Sequence, residues 1–328
     1  VSGPVRRGRP AAGRGARGPG RAAALLAALA LAAGCTPEAP PPPADPKVQV
    51  SGLPGTHPDL EYDPPLTITR TLRETVWEGA GDPLAEGDLV LLDYLLEDAS
   101  DGSVLVDTYA TSTPQVRTLD PAELGADLAD TLVGARPGAR LLQVGAATGV
   151  GEDVPETVTV LDVVPLRAVG ETQAPREGLP AVTLAEDGRP ALAATGTPAP
   201  TELVAQALVR GTGPQVAETD VVTVQYSGFA WDTGEEFDST WDARVPASFP
   251  LPEVPSWQTA LTELPVGSQV LLVVPPSYPL GVTTEGAQLA GRTVVFVVDV
   301  LAARPATGLP VPTPSAGTTA GPTAAVTP

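Results

Sequence analysis

Apolar positions come in short bursts separated by Gly, Pro and Asp. Residues 221–226, 269–274 and 293–301 are dense in Val and Leu and read as strands between turns. One stretch has a helical period instead. In PSWQTALTEL, Trp257, Leu261 and Leu264 fall at i, i+4 and i+7, and Pro255 and Pro265 bound the stripe. Leu124, Leu128 and Leu132 offer a similar stripe earlier in the chain. Many antiparallel strands with one short helix predict an α+β domain, its sheet wrapped on the helix.

The pattern occurs twice. GAGDPLAEGDLVLLDY (79–94) aligns with GTGPQVAETDVVTVQY (211–226), 132 positions on. Asp107 then pairs with Asp238, and PGARLLQV (137–144) with VGSQVLLV (266–273), at slightly smaller offsets. So long a period means tandem domains rather than a solenoid. The expected organisation of the 328 residues is a leader over 1–34 and a Pro-rich tether over 35–64. A first domain follows over 65–168, a linker over 169–200, a second domain over 201–303, and a disordered Pro/Thr/Ala tail over 304–328. Within the linker, AVTLAEDGRPAL predicts a small hairpin.

The leader is basic and then apolar. It holds Arg6, Arg7, Arg9, Arg14, Arg17 and Arg21 and no acid, then an apolar run over 22–33 and Gly34-Cys35. That run is shorter than the ~20 residues of a membrane span and suits a secretory signal. LAAGC resembles a bacterial lipobox, with Ala32 in place of the usual Leu. It implies a chain lipidated at Cys35 and held at the outer face of the cell membrane. Loss of the leader would leave 13 basic residues against 39 acidic ones, a net charge of −26 in place of −20. Such a surface repels nucleic acid and anionic headgroups, so the lipid has to do the anchoring. With Cys35 the sole cysteine, no disulfide forms within the chain.

Charge and residue types also limit the chemistry. His57 is the sole histidine and precedes the first domain. Neither domain can assemble a Ser–His or Cys–His pair. No CxxC, HExxH, P-loop or EF-hand spacing occurs, and no cofactor is implied. Catalysis here would need neither a nucleophile nor a proton shuttle.

Over 201–303 the sequence VTVQYSG…GEEFDSTWD…SFPL…W…LPVGSQVLLVVPPSYPLG…L…TVVFVVDVL resembles the FKBP-type peptidyl-prolyl cis-trans isomerases. The resemblance implies two tandem domains of that fold and an apolar pocket between sheet and helix. Tyr226, Phe237, Asp238, Val254, Trp257 and Phe296 would line it, with Trp257 as the floor. Tyr278 matches the family's loop tyrosine, and Leu289 an apolar residue on the following loop. Two positions depart from the pattern. Leu280 replaces a tyrosine whose hydroxyl bonds the bound peptide carbonyl, and Ala247 replaces a phenylalanine wall. Phe-Asp taken alone reads as a surface carboxylate on a strand edge; the resemblance puts Asp238 at the pocket mouth. It also implies proline-containing segments of exported polypeptides as partners, macrolides as candidate ligands, and a monomer.

The first copy reads as degraded. It keeps Tyr94 and Asp107, but Val106 replaces the Phe of Phe-Asp, Leu128 answers Trp257, and Val160 answers Phe296. Three functions fit the whole chain. The first is a lipid-anchored isomerase that assists folding of exported proteins. The second is a non-catalytic proline-peptide chaperone or adaptor. The third is the solute-binding lipoprotein of a transporter, which needs larger lobes than these copies supply.

Overall fold

The computed structural model describes residues 45–146, 155–194, 196–279 and 291–306. The leader with Cys35, and the loop positions Leu280 and Leu289, lie outside the described residues. A hairpin comes first, β1 (Gln49–Ser51) against β2 (Asp59–Glu61). A six-stranded antiparallel sheet follows. Its strands are β3 (Leu72–Trp77), β4 (Leu89–Asp98), β5 (Val104–Asp107), β6 (Gln115–Thr118), β7 (Arg140–Ala146) and β8 (Glu156–Val164). Between β5 and β7 lie three short helices, α1 (Thr108–Thr111), α2 (Pro121–Leu124) and α3 (Ala126–Leu132). The chain then passes β9 (Glu171–Thr172) and a second hairpin, β10 (Ala181–Leu184) with β11 (Pro190–Ala193). The second large sheet contains β12 (Val204–Arg210), β13 (Asp220–Ala230), β14 (Glu236–Ser239), β15 (Ala247–Pro250), β16 (Gln269–Val274) and β17 (Val294–Pro305). Its order is β14-β13-β17-β16-β12-β9, with β15 also paired to β13. Helix α4 (Pro255–Leu261) connects β15 to β16.

β17 reads VVFVVDVLAARP and is buried along almost its whole length. So continuous an apolar run, rather than an alternating one, marks a strand covered on both faces. Val222, Val224, Phe296, Val298 and Val300 pack on Trp257 and Leu261 of α4. On the opposite face lie Phe229, Trp231, Leu271, Val273, Val295 and Val297, and these are capped by Leu179, Val182 and Leu192. The segment expected as a linker is thus the outer wall of the second domain, and the predicted hairpin within it supplies the contact.

The expected tether does the same for the first domain. Its Val48, Val50, Leu60 and Tyr62 cover Leu142, Val144, Val158 and Val160. Val50 faces Leu60 across its hairpin, and Val182 faces Leu192 across the other, again 132 positions on. The repeating unit therefore includes the hairpin. The predicted helical stripe of the first copy divides. Gly125, at φ 81° and ψ 150°, separates α2, which carries Leu124, from α3, which carries Leu128 and Leu132. Leu264 lies beyond the end of α4 but still packs on the core.

The two copies meet through buried polar groups. Arg304, at the end of β17, donates to Asp93 Oδ2 at 2.6 Å and to the Gly55 carbonyl. Its guanidinium lies 5.3 Å from the Tyr109 ring centre. Leu301 packs with Leu91 and Val164 beside this pair. Asp299 accepts from the Ala168 N–H at 2.9 Å and from Gln269 Nε2 at 2.7 Å. Burial dominates those bonds and pushes the Asp299 carboxyl from 3.8 up to about 6.

The pH dependence follows in sign. The folded protein binds the Asp299 proton more readily than the unfolded chain does, so stability from this group falls as pH rises from 3.8 to about 6. Each pK unit is worth ~1.4 kcal/mol, which caps the effect near 3 kcal/mol. Asp299→Asn is expected to match or exceed wild-type stability above that window and to flatten the profile within it. Thermal midpoints across the range check this; a variant much less stable than wild type at neutral pH would contradict it.

Candidate active site

β13 and β14 set the site by their register. Ser227 pairs with Ser239 and Gly228 with Asp238, but Phe229 pairs with Glu236. The register shift makes Phe237 the bulged residue, and its ring swings over Gly228. A Cβ on Gly228 would lie 2.7 Å from Phe237 Cζ and 2.9 Å from Phe296 Cε1. Only glycine lets the two rings approach over the strand.

The aromatic rings meet edge to face. Phe237 and Phe296 are 5.8 Å apart at 83°, and Trp257 and Phe296 5.3 Å at 70°. Tyr226 contacts Trp257 at 5.2 Å and Phe296 at 6.2 Å. These arrangements suit the ring quadrupoles. Trp257 is 4% exposed, so it forms the closed end of the group. Val254 leads into its helix, accepting the Trp257 N–H at 2.9 Å, and Pro255 takes the first helical position.

Tyr226 points its hydroxyl out of this box and donates to Asp238 Oδ2 at 2.6 Å. Burial, together with that carboxylate, raises the Tyr226 phenol far above its ordinary range. It therefore stays protonated and remains a donor. Asp238 is half-buried at the rim, held on one oxygen by Tyr226. Tyr278 is half-buried on the turn after β16, its N–H bonded to the Pro275 carbonyl, and packs on the same core.

The structure thus brings together Tyr226, Phe237, Asp238, Val254, Trp257, Tyr278 and Phe296. It adds Phe249, which the sequence reading missed. Phe249 lies 5.4 Å from Trp257 on β15, two residues beyond Ala247 and so on the same strand face. It supplies an aromatic wall where Ala247 had suggested a gap. Among the described residues no cluster of His, Cys, Asp or Glu could hold a metal. The site offers an aromatic box with one anchored carboxylate at its rim.

The first copy corrects two of the expected correspondences. Leu95 pairs with Asp107 and Leu96 with Val106, as Ser227 does with Ser239 and Gly228 with Asp238. Asp107 therefore answers Ser239. Leu105 takes the place of Phe237, Val106 that of Asp238, and Leu96 that of Gly228. On the other side, Gln143 pairs with Thr159 as Leu272 does with Phe296. Thr159 answers Phe296, and Val160 points to the opposite face. In place of the box, Thr131 donates to Gln143 Oε1 at 2.5 Å and accepts from Arg73 at 2.9 Å. Asp107 accepts from the Ala110 N–H to cap α1 and lies 3.1 Å from His57 Nε2.

Comparison with known proteins points to one family for the second copy. The model of the FKBP-type peptidyl-prolyl cis-trans isomerase family matches residues 213–301. A probable FK506-binding protein of Corynebacterium glutamicum is 37% identical over 107 residues, which span 32% of this chain and 91% of that protein. FkpA of Escherichia coli, an FKBP-type isomerase, is 35% identical over 107 residues, but these span only 39% of its length. The FkpA crystal structure aligns at 26% identity over 40% of this chain and 54% of that one, with a TM-score of 0.28, too partial to bear on the fold.

Gly228→Ala tests the box. The added methyl collides with both rings, and overpacking of this kind costs ~1–3 kcal/mol. Binding of a proline tetrapeptide is expected to weaken at least about tenfold, ~1.4 kcal/mol, while the far-ultraviolet spectrum is unchanged. Unaltered affinity would place the ligand elsewhere.

Proposed function

The chain belongs to the FKBP-type peptidyl-prolyl cis-trans isomerases, and on that footing we propose that its second copy is the working catalyst. We further propose that the first copy is inactive and that the protein assists folding of exported polypeptides from a lipid anchor at Cys35. The observation that carries the catalytic reading is the Tyr226–Asp238 hydrogen bond at the rim of the aromatic box.

The chemistry needs only an environment. Rotation about the prolyl peptide bond is opposed by ~18–20 kcal/mol, because resonance holds it planar. Water stabilises the charge-separated planar form. A box built from Phe237, Trp257 and Phe296 solvates that form poorly and disfavours it relative to the twisted transition state. A differential effect of about 5 kcal/mol gives between three and four decades in rate. Asp238, fixed by Tyr226, shapes the field at the pocket mouth and can accept a hydrogen bond. The first copy lacks every element of this except Tyr94.

The basic leader and Gly34-Cys35 junction support export and anchoring. Slow prolyl steps limit folding, and a catalyst outside the membrane would serve exported chains rich in proline. A binding-only module is the second reading, favoured by the absence of a tyrosine at Leu280. Macrolides are candidate ligands of the same pocket.

Asp238→Val nearly preserves volume and removes charge and acceptors. It is expected to lower kcat/KM on a proline tetrapeptide about tenfold, ~1.4 kcal/mol, with little change in thermal midpoint. Wild-type protein that binds the tetrapeptide without accelerating its isomerisation would favour the binding module. For the anchor, Cys35→Ala is expected to move the protein from the membrane fraction to the soluble one, or to leave its leader uncleaved. Retention with normal processing would exclude lipid at that residue.

A further inference from the structure

The hairpin that covers the second sheet also grips the strand that carries Phe237 and Asp238. Arg189 closes the turn between β10 and β11. Its backbone is held twice there, the N–H donating to Asp187 Oδ1 at 3.1 Å and the carbonyl accepting from the Ala185 N–H at 2.9 Å. Pro190 follows, and a proline restricts the residue before it to extended backbone. From this fixed base the guanidinium forks. Nη1 donates to Asp242 Oδ1 at 2.6 Å and Nη2 to Glu236 Oε1. The two carboxylates flank Phe237 and Asp238 in the chain.

β14 is an edge strand of four residues, paired only to β13 and interrupted by its bulge. The register divides its side chains between two faces. Glu236 pairs with Phe229, which faces the hairpin, and Asp238 pairs with Gly228, which lies under the box. Arg189 thus holds one face of the strand while the other forms the rim.

The first copy has the same connection built from other residues. THPDL (56–60) and GRPAL (188–192) hold matching places 132 positions apart, so His57 answers Arg189. His57 Nε2 lies 3.1 Å from Asp107 Oδ2, and Asp107 answers Ser239 on the corresponding edge strand. In each copy the residue before that proline ties the hairpin to the strand. The first copy uses one contact. The second uses a charged fork on two carboxylates, which fixes orientation as well as distance.

We propose that Arg189 is a positioning residue of the second copy. By holding Glu236 and Asp242 it fixes the bulge that sets the Phe237 ring over Gly228 and Asp238 at the rim. The proposal rests on the catalytic reading of that copy. Arg189 itself acts from the face opposite the box, and from outside the residues that match the family, 213–301.

The test is isomerisation of a capped, uncharged proline tetrapeptide by the full chain. Arg189→Gln is expected to lower kcat/KM about fivefold, ~1 kcal/mol, and to weaken tetrapeptide binding. The thermal midpoint should stay unchanged, because the Arg189 side chain is 34% exposed and Asp242 72%, and exposed ion pairs add little stability. Arg189→Lys keeps the charge but not the fork and should recover part of the activity. The ratio of wild-type to Arg189→Gln activity should shrink in about 1 M salt, where charges are screened beyond ~3 Å. His57→Ala breaks the first copy's contact and should leave activity unchanged. Equal activity of Arg189→Gln and wild type overturns the proposal. So does a loss that tracks the thermal midpoint and is not relieved by lysine, which would make Arg189 a structural residue alone. Wild-type protein that binds the tetrapeptide without isomerising it overturns the catalytic reading instead, and the same variants then judge the role of Arg189 by affinity.

Discussion

Neither face of the central strands can be left to water. β16 and β17 carry apolar side chains on both sides and β13 is buried on both, so each needs two covers. Helix α4 provides one and the β10–β11 hairpin the other. The hairpin side alone shelters Phe229, Trp231, Leu271, Val273, Val295 and Val297. At ~1.5–3 kcal/mol for each fully buried side chain, this layer is worth on the order of 10 kcal/mol, comparable to the net stability of a whole domain. The aromatic box depends on it indirectly. Phe296 faces the box while its neighbours Val295 and Val297 face the hairpin, so the ring is held by packing on the far side of its own strand.

The copies share that constraint and differ in what they do with the space between sheet and helix. The second keeps glycine at 228 and surrounds it with aromatic rings. The first puts Leu96 there and lines the helix side with Thr159 and with Gln143 and Thr131, the latter two bonded to one another and Thr131 also to Arg73. A binding pocket requires apolar groups that are packed on one side and bare on the other. The first copy has given up that unsatisfied surface and forms an ordinary core.

Much of this was legible in the chain. Strands, the helix stripe of Trp257 and Leu261 and the tandem repeat follow from period and spacing, and most of the box from the resemblance to the family. The covering hairpins were half legible. Gly, Pro and Thr between the domains look like a spacer, and only the matched Val50/Leu60 and Val182/Leu192 positions reveal a repeated wall. The errors at Asp107 and Val160 share one cause. A single-residue shift in alignment moves a side chain to the opposite face of a sheet, and the matching of aspartate to aspartate outweighed the constant offset. Phe249 is not marked by spacing, because its ring reaches Trp257 from a strand position two residues beyond Ala247.

Arg304 bonds to residues 211 and 249 positions earlier in the chain, Asp93 and Gly55. It ends the strand that lies between β13 and β16. A ribosome delivers the chain from its N-terminus, so the first sheet is complete long before β17 emerges. Until then β13 and β16 are edges without their shared neighbour, and the second sheet cannot close. Contacts of such high sequence separation form slowly, and domains made earlier fold first. The order of synthesis therefore makes the finished first copy a template. It presents Asp93 and Tyr109 as a waiting socket, and the arrival of a single arginine signals that the catalytic sheet is whole.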